Sequence, residues 1–308
     1  MRERLAELIP PGRRIAVAFS GGLDSTVLLH IAADHAAATH SPISAIHIHH
    51  GLSQHANAWA SHCEALCASL AVPITVVRVS VPRDAPEGLE AAARTLRYAA
   101  FAELGADHVL LGHHANDQAE TLILNLMRGA GVRGAAGMQS VRGPDNRYVR
   151  PMLSCTRAEL EAYANAHGLR WVEDDSNSDQ SYARNFVRQE VLPVLTSRFP
   201  AAVENLARSV EYFAESQDML DELARHDLGD APATFPVSVQ LLKGLSEARA
   251  RNLLRYLLAE ADLQAPASKK LAEVLRQFIE AGPDRHPSLD LPAYRLYRAK
   301  GEVRLELP

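Results

Sequence analysis

The chain has 308 residues, of which 47% are apolar and 22% charged. These proportions exclude a disordered, collagen-like or coiled-coil chain and fit about two globular domains. With 32 Lys and Arg against 37 Asp and Glu, the net charge is −5, so any nucleic-acid site has to be a local patch of cations.

At the N-terminus, Met-Arg-Glu-Arg-Leu-Ala-Glu-Leu-Ile-Pro lacks the apolar core of a signal peptide. No apolar run approaches the roughly 18 residues of a membrane span. Cys63, Cys67 and Cys155 are an odd set, which suits a reducing compartment. The expectation is a cytoplasmic protein with no membrane partner.

Residues 15–19 form a short apolar run closed by Ser20-Gly21-Gly22, which reads as a buried strand entering a glycine turn. Helix-like spacing follows over 26–38. Strands are predicted at 43–50, 74–79 and 108–111, and helices at 54–70, 87–104 and 116–128. Alternation of this kind means crossover units, hence a doubly wound α/β domain around a parallel sheet. Thr156 and Glu159 have capping-box spacing for a later helix, and 173–179 is a polar loop. Helical pattern resumes from 184 to about 227, then an extended segment at 231–239, helices at 247–260 and 268–281, and a terminal hairpin around Lys300-Gly301. The division is placed at 1–205 and 206–308, the second part a smaller, mainly helical α+β domain.

Ser20-Gly21-Gly22-Leu23-Asp24-Ser25 is the most informative segment. Two glycines allow close backbone approach, and a helix N-terminus offers free N–H groups and partial positive charge. Ser20 and Ser25 add hydroxyls. Such a loop cradles phosphate, although it lacks the Lys-Ser/Thr pair of a Walker loop. Asp24 would repel a polyphosphate unless a divalent cation lay between, which implies Mg²⁺. A tight turn capped by Ser and Asp is the competing reading.

The hexapeptide resembles the signature of the PP-loop ATP pyrophosphatases, which cleave ATP between its α and β phosphates. Six further segments narrow the resemblance to the tRNA(Ile)-lysidine synthase family: 49–52 (HHGL), 90–98 (EAAARTLRY), 111–121 (LGHHANDQAET), 128–131 (RGAG), 150–153 (RPML), and 173–177 (EDDSN) with 184–188 (RNFVR). They run in order over residues 15–195, and the tail is similar to that family's first C-terminal domain. Asn116 departs from the pattern, where the family has Asp. The chain is also expected to stop before the last C-terminal domain of longer members.

The resemblance implies that lysine is joined to C2 of the wobble cytidine of a CAU-anticodon isoleucine tRNA, through an adenylated cytidine, with ATP and Mg²⁺ consumed or used. It places ATP on Ser20–Ser25 with His49, Gly112 and His113 nearby, and Mg²⁺ at Asp24. Asp117, Glu120 and Arg184 would bind lysine and, with Asp24, serve catalysis. Arg94, Arg97, Arg128, Arg133 and Arg188 would contact tRNA, with a C-terminal recognition domain and a homodimer as the candidate assembly. Another PP-loop ligase or thiolase, and a non-catalytic ATP-binding module, are the rivals.

Read from the residues alone, Asp117 and Glu120 are three apart in a first helical turn and share a face. They could hold Mg²⁺ or the ammonium of a small amine, and complementing a helix N-terminus is the bland alternative. One of them could also accept the proton that the lysine ε-amine must lose. Arg184 and Arg188, four apart, could reach a phosphate or carboxylate together. Of His113 and His114, at a strand end, at most one should enter the site, and His113 is the expected one. His47, His49, His50, His55, Cys63 and Cys67 lack a Cys-x-x-Cys pair, so buried small residues are preferred to a zinc site. Gly129–Gly134 matches a dinucleotide fingerprint but follows a helix, which makes it a loop. Arg128, Arg133, Arg142, Arg147 and Arg150 around it are candidates for anticodon phosphates.

Overall fold

The computed structural model describes all residues except 52, 83, 86, 87, 144, 146, 174–182, 283 and 284. Apart from Glu173, the polar loop expected at 173–179 lies outside the described residues. Two compact units are formed, 1–214 and 215–308, and the dividing point falls within one long helix.

Unit 1 begins with α1 (Arg2–Leu8), β1 (Ile15–Ala18), α2 (Leu23–Thr39), β2 (Ile43–His49), α3 (Ala56–Ser69) and β3 (Ile74–Arg78). It continues with α4 (Leu89–Ala102), β4 (His108–Leu110), α5 (Ala115–Met127), α6 (Val132–Ala135), β5 (Val141–Arg142) and β6 (Tyr148–Val149). Then come α7 (Arg157–Ala166), α8 (Ala183–Phe186), a π-helical segment Val187–Val191, α9 (Leu192–Arg198) and α10 (Ala202–Leu228). The sheet order is β3-β2-β1-β4-β6-β5, parallel except for β5. After β1 the chain winds outward through β2 and β3, then returns to pair β4 with the other side of β1. The switch point therefore lies between β1 and β4, where doubly wound sheets bind ligands beyond the strand C-termini.

The apolar runs that predict β1 and β4 are buried on both faces: Ile15, Ala16, Val17, Val109 and Leu110 are all at most 1% exposed. One layer packs β1 with α2 through Val27, Leu28 and Ile31, joined by Leu160 and Ala164 of α7. The opposite layer packs Ala16, Ile46 and Val109 against Phe101 of α4. The short pair β5 and β6 was not foreseen, since two-residue strands carry no periodicity.

Unit 2 contains β7 (Val237–Ser238), α11 (Val239–Gly244), α12 (Glu247–Glu260), α13 (Ser268–Glu280), β8 (Ser288–Leu291), β9 (Tyr294–Ala299) and β10 (Glu302–Glu306). Its antiparallel sheet, β7-β10-β9-β8, includes the expected hairpin as β9 and β10. A core of Leu253, Leu254, Leu257, Leu271, Phe278 and Leu296 joins helices to sheet. The α/β class with a smaller C-terminal α+β part is the architecture observed.

Candidate active site

The Ser20–Ser25 segment joins β1 to α2, with Gly22 at the N-cap. Gly21 has φ +89°, and a Cβ there would stand 2.9 Å from Cys63 Sγ, so glycine is required both by conformation and by space. Ser25 Oγ accepts from the backbone N–H groups of Ser20 and Gly21 at 3.2 Å and donates to Gly22 O at 3.1 Å. The Ser25 hydroxyl thus braces the loop internally, whereas the sequence reading offered it to a ligand. Ser20 is exposed, with its hydroxyl 3.0 Å from that of Ser25. Leu23 is buried in the core, so only its backbone can face a ligand.

Across the switch point, β4 runs on into Leu111-Gly112-His113-His114. A Cβ on Gly112 would lie 3.3 Å from the backbone of Asp24 and Ser25, so this glycine lets the two loops touch. His114 stands beside the expected His113 in bridging this end of the strand to the loop, and both imidazoles act on Asp117. His114 Nε2 stands 3.5 Å from both Asp24 Oδ2 and Asp117 Oδ2, linking the loop to α5. Alternation along the strand end gave no sign of which imidazole would do this. Burial alone would lower the His114 pKa, but the hydrogen bond to Asp24 and the charges of Asp117, Asp24 and Glu120 outweigh it and raise the value. Burial drives His113 the other way, to about 4.

Asp117 and Glu120 share one face of α5 as their spacing predicts, and Glu120 is wholly buried. Each has its partners. Asp117 Oδ2 accepts the His114 backbone N–H at 3.0 Å. Arg184 Nε donates to Glu120 Oε2 at 2.7 Å, and Arg184 Nη2 to Asp117 Oδ1 at 3.2 Å. Arg188 Nε donates to Glu120 Oε1 at 2.6 Å, and Arg188 Nη2 reaches Oε2 at 3.1 Å and Asp117 Oδ1 at 3.4 Å. Both arginines therefore converge on the acids. Arg188, expected as a tRNA contact, instead joins Arg184 here, one turn on, in the π-helical segment, a distortion frequent at functional sites. Burial works to raise the Asp117 pKa, yet the charges of His114, Arg184 and His113 and the backbone hydrogen bond leave it lowered.

Asn116 accepts the backbone N–H of Arg157, the first residue of α7, at 2.9 Å through Oδ1. An amide oxygen makes this bond as a carboxylate would, so the departure at 116 keeps α7 anchored to α5. A cavity of about 210 Å³ opens beside these groups, lined by His114, Asn116, Glu120, Arg157 and Arg188 with Leu192 among its apolar residues.

On β2, His49 is buried, its Nε2 3.1 Å from Asn57 Oδ1 and 3.2 Å from Arg78 Nη1. Cys63 and Cys67 are fully buried, and burial pushes their thiols up to about 12 and about 11, unlike thiolate ligands. Arg94, over the Tyr98 ring at 4.9 Å, and Arg97 are exposed on α4. Arg128, Arg133 and Arg142 are exposed around the 129–134 loop, which turns into α6 at Gly131 and belongs to no strand–helix fingerprint. Two of the arginines grouped there are structural. Arg147 Nη2 donates to the carbonyls of Phe101, Ala102 and Leu104 at the end of α4. Arg150 is 3% exposed and donates to Gln139 O at 2.9 Å. They resemble phosphate-binding arginines only in sequence position.

Among the described residues, no helix is long and apolar enough to cross a membrane. Comparison with known proteins gives a match of residues 1–195 to the PP-loop domain family and of 238–304 to the TilS substrate binding domain. Proteins named tRNA(Ile)-lysidine synthase are similar along most of the chain. That of Nitrosomonas europaea is 46% identical, over 90% of this chain and 62% of the relative. Those of Alkalilimnicola ehrlichii and Pseudomonas syringae pv. tomato are 45% and 46% identical, over 96% and 97% of this chain and 67% and 69% of theirs. The chain thus spans about two thirds or less of the length of several such relatives. The U34-tRNA thiolase NcsA of Methanococcus maripaludis, with its [4Fe-4S] cluster, shares the fold: TM-score 0.58 at 15% identity, over 70% of this chain and 77% of that one.

Proposed function

We propose that this chain, which belongs to the tRNA(Ile)-lysidine synthase family of PP-loop proteins, ligates L-lysine to the wobble cytidine of a CAU-anticodon isoleucine tRNA. The observation that carries the reading is the juxtaposition, through His114, of a phosphate-type loop with a buried acid pair. A nucleotide store needs the first and has no use for the second.

ATP would lie on residues 20–25, its phosphates over Gly21, Gly22 and the first N–H groups of α2. The cytidine O2 attacks the α-phosphorus, the bond to the β-phosphate oxygen breaks, and diphosphate leaves. The neutral lysine ε-amine then attacks C2, the C2–O bond breaks with its electron pair leaving on AMP, and the proton shed by the nitrogen passes to water. Charge stabilisation and positioning are the protein's contribution, since the adenylate supplies the leaving group.

Mg²⁺ fits the loop. Asp24 Oδ1 is buried without a hydrogen-bond partner, and a single carboxylate shared with substrate phosphates is a usual donor set for this ion. Asp24 would hold it, and when bound it supplies neutralisation of phosphate charge.

Asp117 and Glu120 are assigned to recognition of a lysine ammonium. A carboxyl group held ionised, as Asp117 is, suits cation binding better than proton acceptance. Entry of the ammonium exchanges part of the arginine contacts for new charge-assisted ones. The exposed arginines on α4 and around 128–142 support an RNA-facing role, without base readout.

The test is transfer of labelled lysine to an unmodified isoleucine tRNA transcript with Mg²⁺-ATP, with Asp24→Ala as control. Incorporation should require ATP and vanish in the control. ATP cleavage with tRNA but no lysine transfer would instead assign another nucleophile.

A further inference from the structure

Resting on the lysidine-forming reading, we propose that Arg157 is a catalytic residue of the first half-reaction, binding the diphosphate that leaves the α-phosphorus. None of the residues of the 20–25 loop is cationic, yet bond breaking there concentrates negative charge on the departing group. Among the described residues, Arg157 is the arginine that an ion pair brings to the loop. Its Nη1 stands 3.6 Å from Asp24 Oδ1, too far for a hydrogen bond, and that carboxylate oxygen has no other partner. Among the described residues the guanidinium makes no hydrogen bond, which leaves its five donors uncommitted to them. Half of the side chain is exposed, at the edge of the cavity shared with His114 and Arg188.

The attachment of this residue separates scaffold from chemistry. Its backbone N–H is held by Asn116 Oδ1 at 2.9 Å. The preceding Thr156 and Glu159 form a capping box, with Thr156 N–H donating to Glu159 Oε2 at 2.7 Å. Farther along α7, Tyr163 is hydrogen-bonded to His30 of α2 at 3.0 Å, and Leu160 and Ala164 are buried against the same helix. The guanidinium is therefore carried on a rigid base next to the phosphate loop, and among the described residues its contact is the ion pair with Asp24. A planar fork of donors matches phosphate oxygens bidentately. As the O2–phosphorus bond forms, the electron pair of the breaking phosphorus–oxygen bond passes to the diphosphate, and Arg157 would meet that charge without any proton moving.

The experiment follows single turnovers of the full chain, in excess over isoleucine tRNA transcript, with Mg²⁺-ATP labelled in its γ-phosphate. Diphosphate release is timed without lysine, and lysine is then added to time the second step. Arg157→Ala should slow release about 100-fold, as loss of a transition-state donor does, and change the lysine step less than about threefold. Arg157→Lys should recover about tenfold of the loss by restoring the charge without the fork, and both variants should keep the melting temperature. Unchanged release in Arg157→Ala overturns the assignment. So does equal slowing of both steps, which would make the side chain a support for Asp24. Absence of diphosphate release by the unsubstituted protein would instead remove the lysidine-forming reading itself.

Discussion

Glu120→Gln is the substitution that bears hardest on the acid pair. The Glu120 side chain is 0% exposed, and its two oxygens accept three hydrogen bonds of 2.6–3.1 Å from two guanidinium groups. Glutamine keeps the shape but removes the charge and turns one acceptor into a donor facing an arginine. Breaking a buried pair by changing one partner costs about 3–5 kcal/mol when the other is stranded. Here Arg184 and Arg188 are 34% and 36% exposed and retain Asp117, so water and the second acid recover part of that. About 2 kcal/mol remains as the expected loss. For a unit of 214 residues that corresponds to a melting point lower by about 4–8 °C. The same change removes one charge from the site proposed for lysine, so KM for lysine should rise about 10- to 100-fold, the equivalent of roughly 1.4–2.8 kcal/mol. Thermal melts and single-turnover lysine transfer over a series of lysine concentrations up to saturation are the assays. A melting shift under about 1 °C would refute the energetic role. An unchanged KM with a collapsed transfer rate would refute recognition and make Glu120 the proton acceptor.

Gly21→Ala should cost about 1–3 kcal/mol through the left-handed backbone and the Cβ contact with Cys63; ATP affinity should fall with it, as calorimetry with ATP would record. Cys63→Ala in the same chain should relieve the crowding without restoring affinity, because the φ penalty stays. Arg147→Ala should lower stability by about 1–2 kcal/mol, from lost donors at the α4 carbonyls. Its affinity for tRNA, measured by filter binding, should not change. His50 is lowered to about 4 by burial, with Arg97, His47 and His49 adding to it. The unfolded chain therefore takes up that proton near pH 6.5 and the folded one only near 4. This contribution to stability is complete above 6.5 and is lost as pH falls from there towards 4. Urea midpoints at pH 7.5 and 5 should differ more in the unsubstituted protein than in His50→Gln, and parallel profiles would contradict the assignment.

The parallel core and the phosphate loop were legible in the sequence because each rests on local information. Ile15–Ala18 and His108–Leu110 are short apolar runs next to glycine, and their partners in the sheet follow from winding direction. The acid pair was legible as well, since three-residue spacing places two side chains on one helix face whatever the tertiary structure. What sits opposite that face was less so. Arg188 differs from a surface arginine only through a π-helical turn that redirects it onto Glu120, and Arg147 and Arg150 were grouped with an exposed loop that their side chains leave. Arginine reaches several ångströms from its backbone, so position in sequence says little about where its charge is delivered.

Asn116 carries the same argument to the site itself. Compared by side-chain charge, an amide in place of an acid looks like a lost ligand for a metal or an amine. Compared by acceptor geometry, nothing is lost, because one oxygen is enough to hold the Arg157 N–H. On the role proposed for Arg157, function at 116 lies in where α7 begins, through the guanidinium that this bond helps to place. Asn116→Asp should accordingly leave both half-reactions within about threefold, whereas Asn116→Leu, which has no acceptor, should loosen α7 and slow diphosphate release in the manner of Arg157→Ala. Retention of activity by the aspartate supports this anchoring; a rate increase of tenfold or more on adding that acid would show instead that charge at 116 serves the chemistry directly.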